Sequence, residues 1–223
     1  MHQKTAQRHT HDETAPETAG ATIRWWAPAY DAVAWLTSFG QEKAIRKQAL
    51  RVAALKPGEK VLDVGSGTGT LGVAAWRKVR PDGEVTGIDA SPEMVELARR
   101  KAKGKGSGAT FQVAPIEALP FGDASLDVVL STFMLHHLPD DVKVMGLAEI
   151  ARVLKPGGRF VAVDLAGEGR SVLTTFMTVI GHRMPKDYTQ QLMSGMTEAG
   201  LADVTEVKTT FGYLAFLTAN KEG

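Results

Sequence analysis

The stretch Val61–Gly72, VLDVGSGTGTLG, constrains this chain more than any other. Lys60–Val64 is a short β-rich run, and Thr70–Val79 repeats apolar residues with helical spacing. Between them lie Gly65, Gly67 and Gly69. Glycines at such a turn let the backbone bend sharply and let a ligand approach it. The first free N–H groups of the following helix then point at that ligand.

The same alternation runs on through the chain. Pro81-Asp82-Gly83 is a turn signal, and Glu84–Asp89 is a second strand. Ser91 can cap the next helix, with Pro92 at its first position and Glu93 near the positive helix end. Ala109–Val113 reads as a third strand and Leu126–Ser131 as a fourth. A helix is expected from Asp140 or Asp141 through Val153. A turn at Lys155-Pro156-Gly157-Gly158 then leads to a fifth strand, Arg159–Asp164. Strand and helix in alternation imply a parallel sheet covered by helices on both faces. After a helix ending near Gly200, Asp203–Thr209 and Tyr213–Thr218 are two β-rich runs joined by a few residues. So short a connection suits an antiparallel hairpin.

The ends read differently. Residues 1–20 carry little apolar surface and are expected to form a disordered tail, in which His2, His9 and His11 read as solvated. Residues 21–223 are expected to form one domain, with 21–57 as a helical lid and 167–187 as a cap over the substrate. Helical spacing is clear at Ala44, Ile45, Gln48, Ala49, Val52 and Leu55, and Pro57-Gly58 ends that helix.

The glycine loop alone allows two ligand classes. Gly67, Gly69 and Gly72 satisfy G-x-G-x-x-G, and Asp89 ends the second strand, where an acid binds ribose hydroxyls in NAD enzymes. Asp63 separates the alternatives. A carboxylate two residues before the first glycine would repel a pyrophosphate and would suit an ammonium group. S-adenosylmethionine, with ribose hydroxyls, a positive amino group and no phosphate, meets the requirement. A structural alternative has Asp63 bonding the loop amides.

VLDVGSGTG, GIDAS, IEALPF…LDVV, LHHL and RVLKPGGRF stand here in order. With these motifs the chain resembles the class I S-adenosylmethionine-dependent methyltransferases. It is most similar to the type 11 methyltransferase domain, a relative of the ubiquinone and menaquinone C-methyltransferases. The resemblance is strong over residues 58–165. It implies an α/β fold with a Rossmann-like, doubly wound, seven-stranded and mostly parallel sheet. A C-terminal antiparallel hairpin and an N-terminal helical lid complete the expected fold.

The resemblance also implies roles. Asp63, Gly65, Gly67 and Gly69 would line the methionine end of the cofactor, and Asp89 would bond the ribose hydroxyls. Ala90 and Met94 would pack near the adenine, with Ile116 and Glu117 also close to it. Thr132 and Phe133 would lie close to the sulfonium. Members of the family often carry Gly-Asp just before the position of Ile116, and that Asp accepts from the adenine amino group. Here Ala114 and Pro115 stand instead. Pro115 has no N–H and no acid, so Ile116 is left as a backbone contact.

Methyl transfer needs an aligned nucleophile, and a base only when that nucleophile arrives protonated. His136 and His137, just past the fourth strand, are candidates for the base, and Tyr30 for closing the pocket. His182 is a weaker candidate in the cap. Trp25, Trp26, Tyr30 and Trp35 either staple the first helix to the domain or close over the cofactor. Seven basic residues against three acidic ones between Ala21 and Lys60 suit peripheral contact of this helix with a membrane or lipid.

Composition narrows the rest. Lys+Arg number 26 against 25 Asp+Glu, which argues against a nucleic-acid binder. There is no cysteine, so thiolate metal sites and cysteine nucleophiles are excluded, as is arsenite methylation of the kind that uses thiolates in similar enzymes. No divalent-metal site is read. The quinone-pathway relatives usually carry Arg-Asn where this chain has His136-His137. The expected acceptor is a small organic molecule or a lipid head group, methylated on N, O or C. Trp26–Asp31 is similar to the start of some bacterial phospholipid N-methyltransferases. A cytoplasmic location is expected, and the oligomeric state stays open. Two alternatives also stay open: a non-catalytic scaffold of the same fold, and an NAD-dependent dehydrogenase.

Overall fold

The computed structural model describes residues 41–167 and 185–223. The expected tail, the aromatic residues Trp25, Trp26, Tyr30 and Trp35, and most of the 167–187 segment with His182 lie outside the described residues.

Seven strands form one sheet: β1 (Lys60–Val64), β2 (Glu84–Asp89), β3 (Thr110–Val113), β4 (Leu126–Thr132), β5 (Leu154–Leu165), β6 (Leu201–Glu206) and β7 (Leu214–Lys221). Their order across the sheet is β3-β2-β1-β4-β5-β7-β6. The first five are parallel, while β7 runs antiparallel to both β5 and β6. Chain order reverses between β1 and β4, and the carboxyl ends of the strands at such a reversal are where open α/β sheets bind ligands.

Alternate residues of each strand feed the two faces. Val61, Val85, Val128, Leu130 and Val161 pack against α2 (Thr70–Val79) and α3 (Pro92–Gly104). Farther along that face, Val163, Leu165 and Phe216 meet Ile45 and Ala49 of α1 (Glu42–Ala53). Leu62, Val64, Val129, Phe160 and Ala162 face the other way, onto α4 (Asp140–Val153) and α5 (Tyr188–Glu198). The described part of the expected lid, α1, is therefore also a sheet-covering helix.

Two sequence expectations need correction. Lys155–Gly158 is a bulge inside β5, which begins at Leu154. Leu126 pairs with Leu154, but Val128 pairs with Arg159, so the extra residues loop out on one strand. Lys155 Nζ holds that bulge by donating to Asp127 Oδ1 at 2.7 Å, while the Lys60 amide donates to Asp127 Oδ2 at 2.8 Å. The hairpin strands are also displaced. β6 starts at Leu201, because Gly200 turns the chain with φ 86°, and β7 runs on to Lys221 beside β5.

Candidate functional site

The turn after β1 is held by short-range bonds. The Ser66 amide donates to Ile88 O at 2.8 Å, and the Gly69 amide donates to Ser66 O at 2.9 Å. Gly65, Gly67 and Gly69 have φ of 67°, 51° and 75°, the left-handed region that side chains disfavour. A Cβ on Gly65 would overlap Met134, and one on Gly69 would come within 2.7 Å of Ala98 Cβ and Phe111 Cζ. Lys101 of α3 reaches over to this loop, donating to Thr68 Oγ1 at 2.7 Å and Thr70 Oγ1 at 2.6 Å.

Asp63 lies beneath the loop and is 1 % exposed. Among the described residues neither carboxylate oxygen has a hydrogen-bond partner. Burial pushes its carboxyl up to about 7. The Gly72 amide, near but outside bonding geometry, and the Arg46 charge on α1 pull it down, while the Asp89 charge adds to the rise. The Ser66 and Ser131 hydroxyls are likewise buried without a partner among the described residues. Ser131 is the register partner of Val64, so these groups flank the carboxyl ends of β1 and β4.

Asp63 bonds no loop amide among the described residues, and the Gly67 amide goes to Asp89 instead, which corrects the structural alternative for Asp63. The Gly67 amide donates to Asp89 Oδ2 at 2.8 Å and the Ser91 amide to Asp89 Oδ1 at 2.9 Å. Burial raises the Asp89 carboxyl against the lowering effect of these amides. Each oxygen keeps accepting capacity for a further donor. Ser91 caps α3, its Oγ accepting from the Met94 amide at 3.3 Å. Ala90 is half-buried and Met94 is 2 % exposed. The Ile116 side chain packs toward α4, where a Cβ on Gly146 would approach it within 2.7 Å. Ile116 is 6 % exposed. Glu117 Oε2 is buried and unpartnered among the described residues.

At the end of β4, Thr132 is half-buried and Phe133 takes the left-handed φ of 56°, its amide donating to Val163 O at 2.8 Å. Strain in a non-glycine residue is a recurrent mark of functional turns. The next turn, Leu135–His137, is a single 3₁₀ turn that carries both candidate histidines. Their rings lie 3.9 Å apart, centroid to centroid. His136 bonds Asp164 twice, by ring and by backbone, and Tyr188 bonds the same carboxylate. Asp164 and Tyr188 escaped sequence reasoning. Nothing near them in the chain marks them, since they meet His136 only after the sheet and α5 are packed.

A family model described as a methyltransferase domain matches residues 55–210. The chain belongs to that family. This methyltransferase-domain chain is 37% identical over 142 residues to the ubiquinone/menaquinone biosynthesis C-methyltransferase of Geobacter sulfurreducens, covering 63% of this chain and 55% of the relative. It is 38% identical over 138 residues to the demethylmenaquinone methyltransferase of Thermus thermophilus, covering 62% and 61%. The matched part thus spans less than two thirds of those curated relatives. A solved S-adenosylmethionine-dependent methyltransferase from Aquifex aeolicus has the same fold, with TM-score 0.65, 24% identity and coverage of 78% and 88%. Among the described residues, no helix of this methyltransferase-domain chain is long and apolar enough to cross a membrane.

Proposed function

We propose that the chain is an S-adenosylmethionine-dependent methyltransferase acting on a small organic acceptor. The observation that carries this is the Asp63 carboxylate, buried under a left-handed glycine turn with no partner among the described residues. A buried, unpaired carboxylate costs stability unless a ligand completes it. The donor it lacks is a cationic N–H group, which the amino end of S-adenosylmethionine provides. A pyrophosphate would be repelled there, which disfavours a nicotinamide dinucleotide.

The residues fit the group. Asp63 would take the amino end, with the loop at Gly65, Gly67 and Gly69 admitting close backbone approach. Asp89, already fixed by two amides, would accept from ribose hydroxyls. Ala90, Met94, Ile116 and Glu117 would frame the base, and Thr132 and Phe133 the sulfur side. Bound S-adenosylmethionine supplies a methyl group made electrophilic by a positive sulfur. The protein's share is to hold the acceptor in line and keep water out. The acceptor class proposed first is a quinol ring, because the curated relatives are named for quinone biosynthesis.

The test is incubation of the chain with methyl-labelled S-adenosylmethionine and the reduced form of a short-chain demethylmenaquinone. Gain of one labelled methylene unit by the quinone supports the proposal. Failure to bind S-adenosylhomocysteine would overturn it, and binding without transfer would overturn the quinol as acceptor.

A further inference from the structure

A second buried carboxylate lies on the opposite face of the sheet from Asp63. Asp164, near the end of β5, is 2 % exposed, and the side chain of His136 is 3 % exposed. The His136 ring meets Asp164 Oδ1 through Nδ1, and the His136 amide donates to Asp164 Oδ2 at 3.0 Å. The Leu165 amide donates to Oδ1 at 2.8 Å, and the Tyr188 hydroxyl donates to Oδ2 at 3.3 Å. A carboxylate only accepts, so the ring hydrogen on this contact belongs to Nδ1. In the neutral ring the lone pair is then on Nε2.

The geometry points to Asp164 as a positioning residue that holds His136 as a base, its Nε2 presented to an acceptor that arrives with an acidic hydroxyl proton. The inference rests on the methyltransferase proposal and goes past it by naming how the acceptor is activated. Two bonds from one carboxylate fix the ring and its own backbone together, so the imidazole cannot swing while Asp164 holds it. The carboxylate also stabilises the imidazolium when it forms. With a quinol as acceptor, Nε2 takes the hydroxyl proton and the ring carbon forms a bond to the methyl carbon. The breaking carbon–sulfur bond leaves its electron pair on sulfur. The ring carbon then loses its hydrogen to solvent, and Nε2 returns its proton to the oxygen. One proton is released overall.

Among the described residues, the groups that face the dyad include His137, Tyr188, Asp140 and Lys143. The His137 ring lies against His136, and Tyr188 closes the far side of Asp164. Burial, then the charge of Asp164, raises the Tyr188 phenol, so it stays a donor. Asp140 contributes to that rise, and Lys143 Nζ lies 5.3 Å from the Tyr188 ring.

The experiment uses the full chain with ¹⁵N-labelled histidine and bound S-adenosylhomocysteine. Nuclear magnetic resonance of the wild type is expected to find neutral His136 protonated on Nδ1. Protonation on Nε2 would overturn the proposal without any variant being made. Transfer is then followed with the reduced short-chain demethylmenaquinone. Asp164→Asn is expected to lower kcat on the order of 100-fold. KM should stay within about threefold, and the acid limb of the pH profile should move. Tyr188→Phe, which keeps Asp164, is expected to keep that limb in place. An Asp164→Asn protein with wild-type kcat and an unmoved acid limb would overturn the assignment. Loss of turnover in that variant with no change in the His136 tautomer would also overturn it, because Asp164 would then be acting by packing alone. Absence of S-adenosylhomocysteine binding by the wild type would remove the methyltransferase proposal itself, and the tautomer measurement tells the two failures apart.

Discussion

At the scale of single residues, the chain sets two acids to opposite tasks. Asp89 serves structure, since it bonds the Gly67 and Ser91 amides that shape the turn, and the proposal gives it the ribose hydroxyls as well. Asp63 bonds nothing among the described residues, and burial raises it to about 7. This has a consequence for stability. From about pH 4 to pH 7 the native protein keeps a proton that the unfolded chain gives up. Stability therefore falls as pH rises through that window, by on the order of 4 kcal/mol for a shift of this size. Asp63→Asn should abolish that fall. Urea denaturation without cofactor at pH 5 and pH 8 checks it: the wild type should lose more stability between the two than the variant, and equal losses would count against the burial argument. The glycines make a second contrast. Gly58 has φ 85° and open space where a Cβ would stand, while Gly69 has φ 75° and meets Ala98 and Phe111. Gly58→Ala should cost about 1–2 kcal/mol of backbone strain. Gly69→Ala should cost roughly 3 kcal/mol or more, because overpacking adds to the strain. Thermal melts of the two variants side by side would show the difference.

At the scale of elements, the site depends on how helices are tied to strand ends. Ser91 starts α3 and Asp89 orders the residues before it, so the helix start and the Asp89 carboxylate are one unit. Ser91→Ala should destabilise the protein by about 1 kcal/mol through loss of the cap. Because the Asp89 bond is to the Ser91 backbone, cofactor affinity should change little, and titration calorimetry on the variant would read that. The boundaries of β1, α2 and β2 and the start of α3 were legible in the sequence, because each is announced by a local signal: the glycine turn, Pro81-Asp82-Gly83, and Ser91-Pro92. The β5 bulge was not legible. Lys155-Pro156-Gly157-Gly158 has the composition of a turn, and only the pairing of Leu154 with Leu126 reveals strand on both sides of it. The hairpin was recognised in kind but displaced in register. Asp203 has φ 52°, and the pairing of β6 with β7 shifts between Ala202 and Thr205, which no local pattern announces.

At the scale of the molecule, the strand order puts β1 and β4 at the centre, and with them the glycine loop, Asp63, Ser131 and Phe133. These residues follow short motifs, so their gathering at the ends of β1 and β4 was legible from the chain alone. The surroundings of His136 were not. His136 was visible as one of a pair, but its partner Asp164 is 28 residues away and on another strand. Tyr188 comes from a helix that reaches Asp164 only when α5 packs on the α4 face. Contacts of this kind are products of the finished sheet.

The claim on which the rest depends is that a cationic amino end sits on Asp63 beneath the glycine turn. Titration calorimetry of the full chain with S-adenosylhomocysteine, for wild type and Asp63→Asn, tests it most directly. The wild type should bind one equivalent, and a folded Asp63→Asn protein should bind about 30-fold more weakly or worse, as loss of a charge-assisted hydrogen bond in a buried site requires. No binding by the wild type, or equal affinity in the two proteins, would contradict it.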